Sequence, residues 1–591
     1  MRPRIVSMMI TLNCVAALAA SAAAGAQPFG WAQWGQNSQH TLSVDTVGQP
    51  AIFGPAGANI LNAATFDPFV ADETADPLTG GGLLVHYQTP LLDGDTIYMG
   101  VKSGTYTSIT SWQTQTWNEE RLDLEHGALA PAWTFASDWK PVPRGTPLFG
   151  PSFEPVFHAA LSPFFVYVPG FGGSVYKLSK RTGAVLAHFQ PFGETANPNI
   201  YLTGAVTVDA LGNIYYLAIQ LAAASSPNPW TVDVAGSWIV KIDVFGNIHT
   251  ATIASLTPGA PQATDQCPGS FNLNNTPLPW PPTPTTMPAS VPCGTQRVAV
   301  NSAPAVALDG TIYFGVLAHL DNRVAYLLAV TPELKPKWKA SLLERFNDGC
   351  NVLLPPNGTP GGCAAGATTG FEPAANAPGS GRLLDDSTAS PVVAPDGSIF
   401  YGTYSRYNYA QGHLVKISRE GDYMGEYPFG VDETPAIYEH DGTYSVIQQD
   451  NHFGGVGSYC NNPAFCPPER TAASPEAYFI TQLSRDLVPE WSYQNTNTQA
   501  CARNPDNSIT CVPSNPASFQ FTANAPAVDV FGVVYATSLD GNLYVVNQGG
   551  TLRTSAFLEE TLGAEPTPVS ISTSGRVFAE NAGMFFVIGR F

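Results

Sequence analysis

The hydrophobic and polar positions of the chain follow a short pattern that occurs eight times. In PAVALDGTIYFG, from Pro304, alternating β-forming residues lead into an Asp-Gly pair and then into an apolar run that ends in aromatic side chains. A period of two predicts strands, and the Gly-centred pair between them predicts a hairpin. The other copies are TPLLDGDTIYMG from Thr89, the drifted EPVFHAALSPFFVYV from Glu154, GAVTVDALGNIYYLA from Gly204, SPVVAPDGSIFYG from Ser390, TPAIYEHDGTYSVI from Thr434, APAVDVFGVVYAT from Ala525 and TPVSISTSGRVFAE from Thr567.

The aspartate in this pattern has two interpretations, a reactive or metal-binding carboxylate or the corner of a hairpin. Asp309 has counterparts at Asp93, Asp396 and Asp441, and Ser574 takes the position in the last copy. A carboxylate that recurs at hairpin corners is explained by its tolerance of positive φ and by its bonds to nearby backbone. The repetition therefore favours a turn residue.

A second pattern of apolar strand, polar turn and outer strand follows most copies, as in GSVYKLSKRTGAVLAHF from Gly173. Each unit thus reads as a meander of four strands. Trp133, Trp338 and Trp491 fall in outer strands, where we expect them to pack between neighbouring units.

Eight four-stranded units predict an all-β fold, a single eight-bladed β-propeller, because radial repetition leaves only short sheet edges. The last unit, GRVFAENAGMFFVIGRF, reaches the C-terminus without an outer strand. We expect GWAQWGQ, from Gly30, to supply that strand and close the ring. The propeller would then occupy residues 27–591.

Residues 1–26 predict a cleaved secretory signal, with Arg2 and Arg4 before an apolar run and small residues at the end. No later segment has about 18 uninterrupted apolar residues, so we expect no membrane span. A formal charge of −20 with 12% charged residues excludes nucleic acid as a natural partner. We expect an exported, periplasmic or extracellular monomer.

Eight cysteines follow the signal, and they lie as sequence neighbours. Zinc is an alternative, but no couple has the two-residue spacing of a zinc ribbon. An oxidising compartment favours sequential disulfides. The expected pairs are Cys267 with Cys293, Cys350 with Cys363, Cys460 with Cys466, and Cys501 with Cys511.

The hairpin with an aromatic after its Gly turn, the strand-turn-strand YKLSKRTGAVL from Tyr176 and the outer Trp resemble the repeats of quinoprotein-dehydrogenase-like propellers. That superfamily contains enzymes using pyrroloquinoline quinone (PQQ) and non-catalytic scaffolds. The resemblance implies the architecture. The family's quinone site has two adjacent cysteines, which this chain lacks, and no haem-attachment C-x-x-C-H occurs. No family cofactor residue is therefore carried over.

Propeller connectivity separates a face of tight hairpin turns from a face of long loops. Long segments at about 258–300, 345–384, 451–475 and 497–523 fall on the second face and contain every cysteine couple. Binding and catalysis commonly reside on such loops. Residues just before the innermost strands should meet there at an axial funnel; they are Gln88, Glu154, Thr203, Asn301, Ser302, Thr388, Asp432, Glu433, Asn524 and Glu565.

These oxygen-bearing side chains suit calcium or another hard cation, or a polar ligand such as a sugar. A hydrated acidic funnel without an occupant is the alternative. Our first hypothesis is a non-catalytic propeller that binds a protein, glycan or small polar ligand at its loop-rich face. The second is a divergent periplasmic oxidoreductase that uses PQQ and calcium; of these two cofactors, calcium has the more support. A glycan-cleaving pair at Asp432 and Glu433 is disfavoured, because adjacent strand residues point to opposite sides.

Overall fold

The computed structural model describes residues 30–49, 60–77, 87–125, 128–143, 156–222, 232–268, 289–342, 383, 389–404, 412–429, 433–452, 477–504, 506, 508–522, 525–559 and 569–589. The described residues form eight antiparallel sheets, each a meander of four strand positions, and two separate two-stranded hairpins. The predicted all-β, eight-bladed propeller is confirmed. No helix in these ranges is long and apolar enough to cross a membrane.

The chain enters with strand β1 and helix α1, and the first three blades follow. These elements are β1 (Ile60–Thr65) and α1 (Val70–Ala75); blade 1, β2 (Leu91–Asp93), β3 (Thr96–Ser103), β4 (Thr116–Glu125) and β5 (Ala128–Ser137); blade 2, β6 (Ala160–Leu161), β7 (Phe165–Pro169), β8 (Val175–Ser179) and β9 (Val185–Phe189); and blade 3, β10 (Ile200–Leu202), β11 (Thr207–Val208), β12 (Ile214–Gln220), β13 (Gly236–Ile242) and β14 (Ile248–Thr252).

Helix α2 and a hairpin precede blade 4, and a second hairpin precedes blade 7. The elements up to blade 4 are α2 (Ile253–Leu256); hairpin β15 (Gln266–Pro268) and β16 (Ser290–Pro292); and blade 4, β17 (Gln296–Val298), β18 (Ala305–Val306), β19 (Ile312–Ala318), β20 (Asp321–Val330) and β21 (Pro336–Ser341). Blades 5 and 6 are formed by β22 (Val392–Val393), β23 (Ile399–Tyr404), β24 (Gly412–Ile417) and β25 (Tyr423–Phe429), and by β26 (Ala436–His440), β27 (Thr443–His452), β28 (Ala477–Ser484) and β29 (Pro489–Asn495). The remaining elements are hairpin β30 (Gln499–Arg503) and β31 (Ile509–Pro513); blade 7, β32 (Ala527–Val528), β33 (Val534–Thr537), β34 (Asn542–Asn547) and β35 (Thr551–Phe557); and blade 8, β36 (Ser570–Ile571), β37 (Val577–Asn581) and β38 (Met584–Ile588).

Burial falls from the inner strands to the outer ones. Every residue of β19 is buried, whereas β14, at the rim of blade 3, is mostly exposed. Blades pack face to face through the side chains of their middle strands, as where Tyr215 of blade 3 joins a cluster with Phe314 of blade 4. The core therefore consists of apolar layers between blades.

The outer-strand tryptophans pack against the next blade, as the sequence pattern predicts. Trp133 of blade 1 lies against the turn at Gly183 of blade 2, and its Nε1 donates to Lys180 O at 2.9 Å. Trp338 of blade 4 contacts Gly421 of blade 5 in the same way. A side chain at either glycine would overlap the indole, so both turns need glycine.

The repeated aspartate is a turn residue, which confirms that prediction. Asp309 Oδ1 accepts the N–H of Thr311 at 2.9 Å, and Gly310 takes a φ of 81°. Asp396 and Gly397 of blade 5 repeat the geometry.

The ring is closed by an N-terminal strand, but the predicted segment is wrong. β1 (Ile60–Thr65) pairs antiparallel with β38 and becomes the outer strand of blade 8. GWAQWGQ instead enters the centre of the ring, where Trp31 bridges Leu92 in the innermost strand of blade 1. The pattern did not separate them because both segments are short, apolar and close to the N-terminus.

Candidate functional site

Residues 30–49, which we call the strap, run around the axis and bond to every blade. The strap uses its backbone for seven blades and the Gln33 side chain for blade 3, where the Gln33 amide both donates to and accepts from Val208. Each blade meets it at the innermost strand or the turn after it. The partners in blade order are Leu92, Leu161, Val208, Val306, Val393, Ile437, Val528 and Gly575.

Three non-glycine residues of the strap adopt the left-handed conformation that L residues rarely take. They are Gln36, His40 and Leu42, with φ of 71°, 60° and 57°. Burial lowers the pKa of His40 to about 4, so its ring is neutral at pH 7, and its Nδ1 lies 2.9 Å from Pro391 O. The strap is thus fixed in a strained curve by bonds from all sides.

A cavity of about 570 Å³ opens between the strap and the turns of blades 4 to 6. We call it the strap cavity. It lies on the face of tight turns, opposite the long loops. Its walls are Gln36, Asn37, Gln39, Thr41, Ser43 and Asp45 of the strap, Ala307, Leu308, Asp309 and Tyr313 of blade 4, Val393, Ala394, Pro395, Asp396, Gly397 and Arg419 of blade 5, and Glu439 of blade 6. The sequence pattern does not reveal this cavity, because the strap and the turns that line it are far apart in the sequence.

The side chains of Gln88 and Glu433 in the funnel bond within the protein, whereas Thr203 Oγ1 and Ser302 Oγ form no hydrogen bond in the described part of the chain. Gln88 is buried; its Nε2 donates to Tyr98 O and to Glu119 Oε1, and its Oε1 accepts the N–H of Ala159. Asn301 and Ser302 are buried, and the Asn301 N–H donates to the carbonyl oxygen of buried Thr203.

Glu433 is fully buried beside two amide side chains. Its Oε2 accepts from Gln448 Nε2 at 3.3 Å and its Oε1 from Asn451 Nδ2 at 3.2 Å. The remaining predicted funnel residues, Glu154, Thr388, Asp432, Asn524 and Glu565, lie outside the described residues.

Glu119 of β4 is a functional candidate that the sequence did not single out. It is fully buried, and its Oε2 accepts no hydrogen bond from the described part of the chain. Burial raises the pKa of Glu119 to about 8, so the carboxyl is largely protonated at pH 7. The alternating pattern of β4 places it inward, but its burial depends on blade packing.

A buried ion cluster joins α1 to blade 1. Lys102 Nζ lies 2.6 Å from Asp67 Oδ2 and 2.8 Å from Glu73 Oε1. Trp112 Nε1 donates to Glu73, and Tyr87 donates to Asp67. Burial raises the pKa of Glu73 although Lys102 acts against it. Since α1 follows the closing strand, the cluster secures the junction of blades 8 and 1.

Two of the four predicted disulfides are present, Cys267–Cys293 and Cys501–Cys511. The couples at Cys350 and Cys363, and at Cys460 and Cys466, lie outside the described residues. Cys293 O accepts the N–H of Leu320, between strands two and three of blade 4. This contact places the Cys267–Cys293 disulfide on the loop-rich face.

The Cys501–Cys511 disulfide lies in hairpin β30–β31, which we call the arm. Its cysteines face each other across the strands, and every residue of β31 is exposed. Arg503 anchors the arm to the end of β35, where Nη2 donates to Leu558 O at 2.9 Å and the guanidinium lies over the Phe557 ring. The arm therefore also belongs to the loop-rich face.

Comparison with known proteins places the fold. No family model matches the chain, and no curated protein matches it. Among solved structures, quinohemoprotein alcohol dehydrogenase from Comamonas testosteroni is similar at 12% identity with a TM-score of 0.51, over 97% of this chain and 82% of that one. The chain shares the propeller fold of that enzyme. This bears out the architecture that the repeats implied.

Two further structures match with lower scores. BamB from Moraxella catarrhalis has 11% identity and a TM-score of 0.38, over 85% of this chain and 95% of that one. Sqt1 from Saccharomyces cerevisiae has 8% identity and a TM-score of 0.40, over 86% and 96%.

The described residues do not form the site that a quinone and calcium would need. Both Glu433 oxygens accept amide N–H groups, and the Gln88 amide is committed to three bonds. Within the described ranges, no three His, Cys, Asp or Glu side chains come together as a metal site. We therefore derive no step through either group.

Proposed function

We propose that the protein is an exported, non-catalytic propeller that binds a protein partner at its loop-rich face. The arm is the observation that carries this proposal. The arm is a disulfide-linked hairpin held on a rigid ring. Because it is already ordered, binding of a partner costs little conformational entropy in the arm.

The arm also offers the groups that strand pairing requires. β31 pairs only with β30 among the described residues, which leaves its outer backbone groups for a strand from another chain. Ile509 and Val512 are 45% and 56% exposed. Two apolar side chains beside an available strand edge support recognition of an extended protein segment.

Photo-crosslinking at Val512 tests the proposal. The matched control is Val185 on β9, an exposed valine at 49% on an outer strand away from the arm. In the native exporting host, a photoreactive residue at 512 should crosslink to one partner, and the same residue at 185 should not.

The purified partner is then titrated against three proteins. Val512→Asp should weaken binding about tenfold, which corresponds to about 1.4 kcal/mol, while Val185→Asp should bind like the wild type. Equal crosslinking at both positions, or equal affinities for the two variants, would contradict the proposal.

The oxidoreductase hypothesis is decided by a different measurement. Protein purified from its native host is analysed for calcium by elemental mass spectrometry and for a quinone by absorbance of the denatured supernatant. Stoichiometric calcium with a released quinone would overturn the non-catalytic assignment. N-terminal sequencing of the same sample should begin near Gln27 if residues 1–26 are a cleaved signal.

A further inference from the structure

The strap cavity has a floor of neutral polar side chains that are already fixed in place. Asn37 Oδ1 accepts the N–H groups of Gln39 and Thr41 at 3.0 and 3.2 Å, and its Nδ2 donates to Thr41 Oγ1 at 2.6 Å. Ser43 Oγ donates to the same Thr41 oxygen at 3.1 Å. Because the strap is bonded to all eight blades, this floor does not need to order when a ligand enters.

Two amides on this floor have unused hydrogen-bonding capacity. Gln36 is only 2% exposed, and its Oε1 accepts no hydrogen bond in the described part of the chain. A buried polar atom without a partner is uncommon and indicates a missing donor. Gln39 Nε2 donates to Val306 O and Ser38 Oγ. Both N–H donors of this amide are therefore used, and its side-chain carbonyl oxygen is the atom that can still accept a hydrogen bond.

Of the four carboxylates on the walls, Asp309 and Asp396 are ion-paired within the protein, whereas Asp45 and Glu439 form no ion pair in the described part of the chain. Asp309 Oδ2 lies 3.0 Å from Arg419 Nη2, and Asp396 Oδ2 lies 3.5 Å from Arg485 Nη2. Tyr444 also donates to Asp396 at 2.9 Å. Carboxylates outnumber Arg419 on the walls, which disfavours anions, while these ion pairs reduce the attraction for a free cation.

The upper wall adds apolar surface between the polar groups. Leu308 is 87% exposed, and Ala307, Val393 and Pro395 lie beside it around the cavity. A ligand that is apolar on one side and rich in donors and acceptors at its edge would match both parts of this wall.

We propose that the strap cavity binds a neutral, hydroxyl-rich ligand of the size of a mono- or disaccharide. Hydroxyl groups donate to carboxylate and amide oxygens and accept from a guanidinium, so one chemical group satisfies every kind of polar atom on the walls. The C–H face of a sugar ring would cover the apolar strip. The cavity's 570 Å³ is within the usual range of small-ligand sites, about 300–1,000 Å³. The site lies opposite the arm and is independent of the protein-binding proposal.

Calorimetric titration with defined probes tests this site. Methyl α-glucoside, maltose and myo-inositol represent the proposed class, while spermidine and citrate represent a cation and an anion. At least one hydroxylated probe should bind and should slow hydrogen exchange of the strap amides between residues 36 and 45. Spermidine and citrate should do neither.

Two exposed glutamates supply a matched pair of variants. Glu439 lines the cavity, whereas Glu420 is exposed beside Arg419 and does not line it. Glu439→Gln should weaken binding of the hydroxylated probe about tenfold, because the neutral amide oxygen accepts a weaker hydrogen bond than the carboxylate does. Glu420→Gln should leave its affinity unchanged.

Three results would overturn the proposal. They are no binding by any hydroxylated probe, tighter binding of spermidine or citrate than of the sugars, and equal affinities in the Glu439→Gln and Glu420→Gln proteins.

Discussion

The buried carboxyl of Glu119 should make the stability of the propeller depend on pH. Burial raises its pKa from 4.5 to about 8, so the folded state holds a proton that the unfolded chain releases. An acid with a raised pKa contributes fully below the unfolded pKa, and its contribution is lost as pH rises through the folded value. The stability contribution of Glu119 should therefore fall as pH rises from about 4.5 to about 8.

The magnitude follows from the same two pKa values. One pKa unit corresponds to about 1.4 kcal/mol, so the 3.5-unit rise is worth about 5 kcal/mol above pH 8. At pH 7 the difference is about 3 kcal/mol, because only the interval from 4.5 to 7 contributes. Glu119→Gln keeps an acceptor for the Gln88 amide and removes the titration. The variant should equal the wild type near pH 4 and exceed it by up to these amounts at higher pH.

The assay is urea unfolding followed by tryptophan fluorescence between pH 4 and pH 9. The free energies of unfolding are compared with one shared dependence on urea concentration for both proteins. The control is Glu125→Gln, since Glu125 lies on the same strand and is exposed. If the wild type and Glu119→Gln show parallel pH profiles, or if the variant is the less stable protein at pH 8, the reasoning is wrong.

Three further changes test other parts of the structure. Gln33→Leu removes both side-chain bonds to Val208 and should cost about 2–3 kcal/mol in urea unfolding, with faster hydrogen exchange of the Val208 amide; normal exchange there would contradict the role of the strap. Lys102→Met leaves two buried carboxylates without their cation and should cost about 3–5 kcal/mol at pH 7; a loss that does not diminish at low pH, where the acids are protonated, would count against it. Replacing Cys501 and Cys511 by Ser opens a short loop and should cost about 2–3 kcal/mol, seen as proteolysis confined to the arm; unchanged proteolysis there would show that Arg503 holds the arm without the disulfide.

Much of the architecture was predictable because it is repeated. Each copy carries the same alternation of apolar and polar residues and the same Gly-centred turn. A copy that departs from the pattern, such as the one from Glu154, therefore does not change the predicted number of blades. The strap has no such redundancy. It occurs once, has no regular period, and attaches through backbone groups that every sequence possesses.

The candidate sites were less predictable for a related reason. Gln88 and Glu433 were singled out as polar residues before innermost strands, but their burial depends on neighbours from other strands. Glu119 looks from sequence like any acid in an alternating strand. Only the packed blades remove it from water, and the strap cavity exists only once distant segments meet.

The strap and β1 are in direct contact with blade 8, which is more than 500 residues away in the sequence. Gln49 donates to Ser574 across 525 residues of sequence, and β1 pairs with β38. Such remote contacts are slow to form because the intervening chain must be ordered first. Residues 30–65 are therefore synthesised before all eight blades, but β1 and Gln49 can form these contacts only after blade 8 has been made, so the ring closes last.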